Sequence, residues 1–308
     1  MKNYFRIMLG RKSVYAEEAH GENFIGTGWF EEIDLTNQLP EEYRSFNQAM
    51  IPVYLQKCPE KTKISAGLAC GMLWTVARYL KIGDIVLCPN GAGSYFVGEV
   101  TTNYQYRRGE HLPHRRGVQW YPTKIERSQM SQALQHSAGS IGTVSDLTKY
   151  AAEIEGLISG SRPPTIVATD ETIEDPSVFA MESHLEEFLI QNWQQTLLGK
   201  SYDIYQEDGE LVGQQYPSDT GPIDILAISK DKKELLVVEL KRGRASDVVI
   251  GQTQRYMGYV KDELAEEGQT VRGTIIALED DARIRRALSV ARGIDFYTYQ
   301  VSFKLQKV

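Results

Sequence analysis

The sequence predicts a mixed α/β (α+β) protein. A mixed sheet flanked by helices is expected in the C-terminal part, and a small β-barrel-like domain in the N-terminal part. Three observations predict this. Residues 178–308 order their patterns as α-β-β-α-β-α-β, which reads as a sheet between helices. Residues 1–158 carry short strand patterns with Gly and Asn turns and little helix, which reads as β-rich. Between them, "SGSRPPTIVATDETIEDPS" at 159–177 contains three prolines. Tandem Pro163-Pro164 favours extended backbone on either side, so this stretch reads as a linker with a short strand at "TIVA".

The N-terminal part opens with a strand, "YFRIMLG", followed by "FIGTGWFEEIDLT", a strand with a close turn. Leu68, Met72, Val76 and Leu80 recur every four residues and predict a helix over 65–80. "DIVLC" and "YFVGEVT" are strands joined by the turn "PNGAG", and "RRGVQWYP" is a third strand. The C-terminal part begins with a helix, "PSVFAMESHLEEFLIQNWQQTLLG", with Pro176 in its first turn. "IDILAIS" and "KELLVVELK" form a hairpin. "VIGQTQRYMGYVKDELAEEG" is an amphipathic helix, "VRGTIIALE" a buried strand, "DARIRRALSVA" a helix and "IDFYTYQVSFKLQ" a final strand or pair.

A hydrophobic content of 42% and a charged content of 24% over 308 residues are those of a folded soluble protein. No run of about 20 apolar residues predicts a membrane span. The start, "MKNYFRIMLGRKSVYAEEA", has no apolar signal region and reads as structure. Three cysteines without paired spacing point to a reducing, cytoplasmic setting and against a disulfide frame or a cysteine zinc site. The net charge of −7 argues against a purely electrostatic nucleic-acid binder. It does not exclude nucleic acid, because local patches and bound cations decide the contact.

The hairpin carries a charged constellation. Alternation puts Glu239 and Lys241 on one strand face, beside Leu235 and Val237. A register pairing Ile228 with Glu234 or Leu235 would set Asp224 opposite Glu239 or a neighbour. Two carboxylates that close repel unless a cation lies between them, and hard divalent cations prefer such oxygen ligands. With an ammonium beside them, the set suits phosphodiester hydrolysis. The plain alternative is a snorkelling Lys241 in a salt bridge with Glu239.

Taken in order, "MESHLEEFL", "GPID", "VVELK" and "GQTQRYMGYV" resemble the PD-(D/E)xK nuclease superfamily, which has the restriction-endonuclease-like fold. Within it, the segment from Glu182 to Phe303 resembles the catalytic domain of the NucS-type endonucleases. Ile223 stands where proline usually precedes the aspartate, with Pro222 one earlier. The resemblance implies Asp224 and Glu239 as metal ligands, with the Leu240 carbonyl, for Mg²⁺ or Mn²⁺. It implies Lys241 as the catalytic lysine and Glu182 as the helix carboxylate, with Glu186 its rival. Gln254 would reach the site from the next helix. Gln252 shares that face in part and can cap instead, and Tyr256 can be core. Arg242 and Arg244 would contact phosphate or blunt a sheet edge.

"GD-I-V…VGEV…Y-x-Y…HRR-x-VQW" in the N-terminal part is similar to EVE/PUA-like β-barrels of prokaryotic defence proteins, some of which read modified bases. "YRRGEHLPHRRGVQWYPTKIER" holds six Arg/Lys against two Glu. Arg107, Arg108, Arg115 and Arg116, interleaved with Tyr106 and Trp120, suit nucleic acid. The plain alternative is a barrel core with a solvated basic rim. The expected function is a metal-dependent DNA endonuclease of restriction or antiphage defence, in which the N-terminal domain reads DNA. Double-strand cutting favours a homodimer. RNA, a gating nucleotide messenger in the N-terminal domain, and a retired nuclease fold that only binds are the alternatives.

Overall fold

The computed structural model describes residues 2–139, 142–160, 185–186, 188–207, 209–279 and 282–299, without the side chains of 132, 133, 136 and 242–244. The expected linker, 159–177, falls almost wholly outside these residues. The chain divides into two compact units, Met1–Val167 and Ala168–Val308.

The first unit contains β1 (Tyr4–Ile7), α1 (Ala16–Gly21), β2 (Phe24–Thr27), α2 (Tyr43–Lys57), α3 (Lys63–Trp74), β3 (Ile85–Pro89), β4 (Ser94–Val100), β5 (Gln105–Tyr106), β6 (His114–Glu126), α4 (Gln132–Ala138), β7 (Val144–Asp146) and α5 (Ala151–Ile158). One mixed sheet, ordered β2-β6-β4-β3-β1-β7 with β5 on β6, holds the unit together. Its strands are apolar on both sides because both faces are covered. Phe5, Ile7, Val86 and Phe96 pack on one side, and Tyr4, Ile85, Leu87 and Tyr95 on the other. The β3–β4 turn is fixed by Asn90, whose Oδ1 accepts from Ala92 N and Ser94 N. α2 has no counterpart in the sequence reading. It contains Pro52, which disfavours a helix interior, and it is held by packing of Phe46, Met50 and Ile51 on Leu73 and Trp74 of α3.

The second unit contains β8 (Tyr202–Ile204), β9 (Gln206–Glu207), β10 (Glu210–Leu211), β11 (Gln214–Tyr216), β12 (Ile223–Ser229), β13 (Glu234–Arg244), α6 (Val248–Tyr259), β14 (Thr270–Glu279), α7 (Ala282–Leu288) and β15 (Ile294–Thr298). The sheet runs β11-β12-β13-β14-β15, with β8 also on β12. β12 and β13 are antiparallel across a four-residue turn, whereas β13, β14 and β15 are parallel. Parallel neighbours need crossovers, and α6 and α7 provide them. β13 is central, so Leu235 to Val238 are buried whichever face they take. Fully burying each such side chain stabilises the fold by roughly 1.5–3 kcal/mol. On α6, Val249, Ile250, Thr253, Tyr256 and Tyr259 are buried at helical spacing. The helix expected to run to Gly199 stops earlier. Residues 193–195 and 198–200 are 3-10 turns, and β8 to β11 follow where no strand was foreseen.

Candidate active site

The site is built where β12 and β13 part. Their ladder pairs Ile228 with Leu235 and ends at Ile225 with Val238. One step further the register sets Asp224 opposite Glu239. There the Asp224 carboxylate replaces a backbone acceptor: its Oδ2 takes a hydrogen bond from Leu240 N at 2.8 Å. The N–H and C=O of a strand residue leave the same edge, so the Leu240 carbonyl is on the Asp224 side. The turn leading to Asp224 is shaped by Gly221, whose φ of +118° favours glycine. A Cβ there would also meet the Tyr256 hydroxyl at 3.4 Å.

Glu239 is only 2% exposed, and its Oε1 accepts from Lys241 Nζ at 2.6 Å. The Lys241 side chain is a third exposed, which lets its ammonium face both the carboxylate and solvent. Burial, then the neighbouring Asp224 charge, pushes Glu239 up to about 7, against the pull of Lys241. Two acids at one end of the β12–β13 pair with a single lysine leave a negative surplus. A hard divalent cation fits that donor set. Among the described residues no three of His, Cys, Asp and Glu gather into a metal-sized cluster. The oxygens that could hold such an ion are those of Asp224 and Glu239 and the Leu240 carbonyl.

Glu186 is joined to this set through Gln215. Glu186 is 7% exposed. Its two oxygens accept from Gln214 Nε2 at 2.7 Å and Gln215 Nε2 at 2.8 Å. The Gln215 amide also donates to Asp224 Oδ1 at 3.2 Å. Consecutive strand residues normally point to opposite faces. Here both reach one carboxylate, because Gln215 has a left-handed backbone with φ +49°, an uncommon conformation for a non-glycine residue. Alternation alone could not have revealed Gln215. Glu182, the expected helix carboxylate, lies outside the described residues.

Gln254 is exposed, and two residues along a helix turn it about 200° from Gln252. The structure instead brings Gln252 and Tyr256 toward the carboxylates. Gln252 Nε2 donates to Tyr256 Oη at 3.2 Å. The Tyr256 hydroxyl is pushed up by burial, with Glu239 and Asp224 adding to the effect. The buried phase of α6, with Val249, Thr253, Tyr256 and Tyr259 inward, is the signal that could have chosen this face. Arg242 and Arg244 continue β13, with their side chains outside the described set.

The basic segment of the first unit also departs from expectation. Arg115 is buried: its Nε donates to Leu112 O and its Nη2 to His111 O. It pairs with Glu110 at 2.8 Å and stacks over Phe24. Arg116 is buried and donates to the carbonyls of Val76, Thr102 and Ala77. Neither guanidinium stands on an exposed basic rim, and Arg116 keeps two N–H groups beyond its three carbonyl bonds. Tyr106 donates to Glu31 O at 2.7 Å. Trp120 packs on Phe96 and His20. Arg107 and Arg108 are exposed on the β5–β6 loop. Arg115→Ala should therefore cost roughly 3 kcal/mol of stability, from lost hydrogen bonds and unpaired carbonyls. A drop of several degrees in thermal melting, with DNA affinity unchanged below it, is the expected result.

Comparisons with known proteins bear on both units. Residues 181–304 match the family model described as Endonuclease NucS C-terminal domain. Residues 5–148 match one described as Domain of unknown function (DUF8426), so the likeness to EVE/PUA-like modules has no support from this match. Endonuclease NucS of Methanocaldococcus jannaschii is 29% identical over 107 residues, 35% of this chain and 36% of that protein. The chain thus spans about a third of the length of this curated relative. Two solved structures are remotely similar. "Structure of EndoMS-dsDNA2 complex" is 13% identical, over 68% of this chain and 62% of that one, with TM-score 0.33. "Crystal structure of a repair endonuclease from Pyrococcus abyssi" is 16% identical, over 69% and 66%, with TM-score 0.31. The C-terminal unit is NucS-like in sequence, and its mixed α/β fold is described above. Among the described residues no helix is long and apolar enough to cross a membrane.

Proposed function

We propose that the C-terminal unit is a metal-dependent DNA endonuclease of the PD-(D/E)xK type, with Asp224, Glu239 and Lys241 at its centre. The observation that carries this reading is the convergence of a buried Glu239, the Asp224 carboxylate and the Lys241 ammonium at one end of the β12–β13 pair. The match of residues 181–304 to an endonuclease C-terminal domain supports it. Asp224 and Glu239, with the Leu240 carbonyl, would hold Mg²⁺ or Mn²⁺. When bound, such an ion supplies Lewis acidity toward a phosphodiester. Lys241 then offsets charge that develops on the phosphoryl oxygens and orients the attacking water. Gln215, held by Glu186, donates to the Asp224 carboxylate and steadies it. The buried strand residues behind the site keep these groups from relaxing away.

The direct experiment is incubation of the full chain with double- and single-stranded DNA and Mg²⁺ or Mn²⁺. Metal-dependent cleavage is expected; no cleavage of any substrate would contradict the reading. A defence role, and recognition of modified bases by the first unit, rest on the sequence pattern; cleavage of modified against unmodified DNA tests both.

A positioning role for Gln215 makes its own prediction. Gln215→Ala removes the hydrogen bonds to Glu186 and Asp224, and the one to Asp224 is worth about 1.5 kcal/mol at the site. The Mg²⁺ concentration for half-maximal cleavage should rise about tenfold, with melting lowered by a few degrees at most. An unaltered Mg²⁺ dependence would reduce Gln215 to a packing residue.

A further inference from the structure

The first unit contains an open cleft of about 550 Å³ whose lining includes Arg78, Lys81, Arg116, Ile82, Asn103 and Tyr104, and no carboxylate. Its geometry comes from the end of α3. Residues Thr75–Tyr79 form a π-helical turn, closed by Leu80 N donating to Thr75 O. The Val76 and Ala77 carbonyls lie in this last turn, where helical partners run out, and Arg116 reaches across from β6 to cap them. A third donor goes to Thr102 O. A guanidinium has five N–H groups, so two remain after these three bonds.

We propose that this cleft binds the phosphate of a nucleotide, free or within a single strand. Arg116 is 4% exposed, and among the described residues it forms no ion pair. The carboxylate whose charge reaches it is Asp84. Asp84 is already held by Asn3 and by the backbone N–H of Lys81. Burial lowers the affinity of Arg116 for its proton, with Asp84 opposing. A buried cation with so little compensation is costly unless an anion completes it. Arg78 and Lys81 are exposed at the same cleft and make no ion pair among the described residues. Asp34 lies near the rim, where the charge of Arg108 reaches it. Three cations suit phosphate, and guanidinium is the group that binds it in a fixed geometry. Ile82 and the ring of Tyr104 add an apolar wall for a sugar or base, and the exposed Asn103 amide adds polar contacts.

The site lies wholly in the first unit and is independent of the nuclease reading, so its test omits divalent metal and reads no cleavage. Binding of adenosine 5′-monophosphate and of a short single-stranded DNA to the full chain is measured in EDTA, with adenosine as the phosphate-free control. Wild type should bind at least one phosphate-bearing probe, with affinity falling as salt rises. The double variant Arg78→Glu/Lys81→Glu, altered only at exposed positions, should bind that probe at least tenfold more weakly. Lys149→Glu, exposed elsewhere on the same unit, should bind as wild type does. Binding of the monophosphate assigns a free nucleotide, and binding of the strand alone assigns a strand; both uphold the phosphate site. It is overturned if neither probe binds, if the double variant binds equally well, or if adenosine binds as tightly as its monophosphate.

Discussion

Lys241→Ala is expected to lower the rate of DNA cleavage by about a hundred- to a thousandfold, the effect of removing one positioned electrostatic group from a site of this kind. The reason is placement. Lys241 shares a strand face with Glu239, meets it at 2.6 Å, and keeps a third of its side chain open to solvent. Its ammonium is therefore anchored on the carboxylate side while still reaching outward toward a substrate phosphate. The same substitution should leave divalent-metal binding within a few-fold of wild type, because a lysine is no metal ligand. Loss of cleavage with retained metal binding separates Lys241 from Asp224 and Glu239. Lys241→Arg should not restore full activity, since a planar fork replaces a compact charge. Single-turnover cleavage with each variant at saturating metal is the measurement. An unchanged rate for Lys241→Ala would remove it from the chemistry.

Glu239→Gln is the second large effect, and it carries a pH signature. The folded protein holds the Glu239 proton up to about 7, against an ordinary value of 4.5. The native state therefore binds this proton more tightly than the unfolded chain does. The stability from this group is fully present at low pH and is lost as pH rises from about 4.5 through about 7. Across that window the loss is on the order of 3 kcal/mol. Without divalent metal, wild type should lose melting temperature over that range relative to Glu239→Gln, which has no proton to release. Metal reverses the sign for wild type, because a cation binds the ionised form. Metal affinity should rise by up to tenfold per pH unit below about 7 and level off above it. Glu239→Gln should show neither trend, and its cleavage should fall to background. Parallel melting dependence for the two proteins from pH 5 to pH 8 would show that burial does not hold the Glu239 proton.

Much of this site was legible in the sequence, because strand geometry is regular. Period-two alternation put Glu239 and Lys241 on one face. A short turn between two apolar runs limited the register to choices that bring Asp224 near Glu239, and Ile228 with Leu235 is the one observed. The helix side was less legible. Choosing between Gln252 and Gln254 needs the direction in which α6 packs, and the polar residues alone do not give it. Gln215 was hidden because its contacts depend on one left-handed backbone angle, which breaks the alternation a reader would apply. In the first unit, composition misled. Arg115 and Arg116 look like a basic surface in one dimension, yet both fold inward to cap backbone carbonyls. Tertiary demand for donors, not surface charge, accounts for them. α2 was hidden by Pro52, whose local cost is outweighed by the packing of Phe46 and Met50 against α3.

The proposed nuclease chemistry requires that Asp224 and Glu239 together hold a divalent cation. Calorimetric titration of Mn²⁺ into the full chain at pH 8, where Glu239 is ionised, tests it most directly. Wild type should bind one ion per chain, and Asp224→Asn should bind it at least tenfold more weakly while keeping its melting temperature within a few degrees. Equal Mn²⁺ affinity in the two proteins would contradict the account.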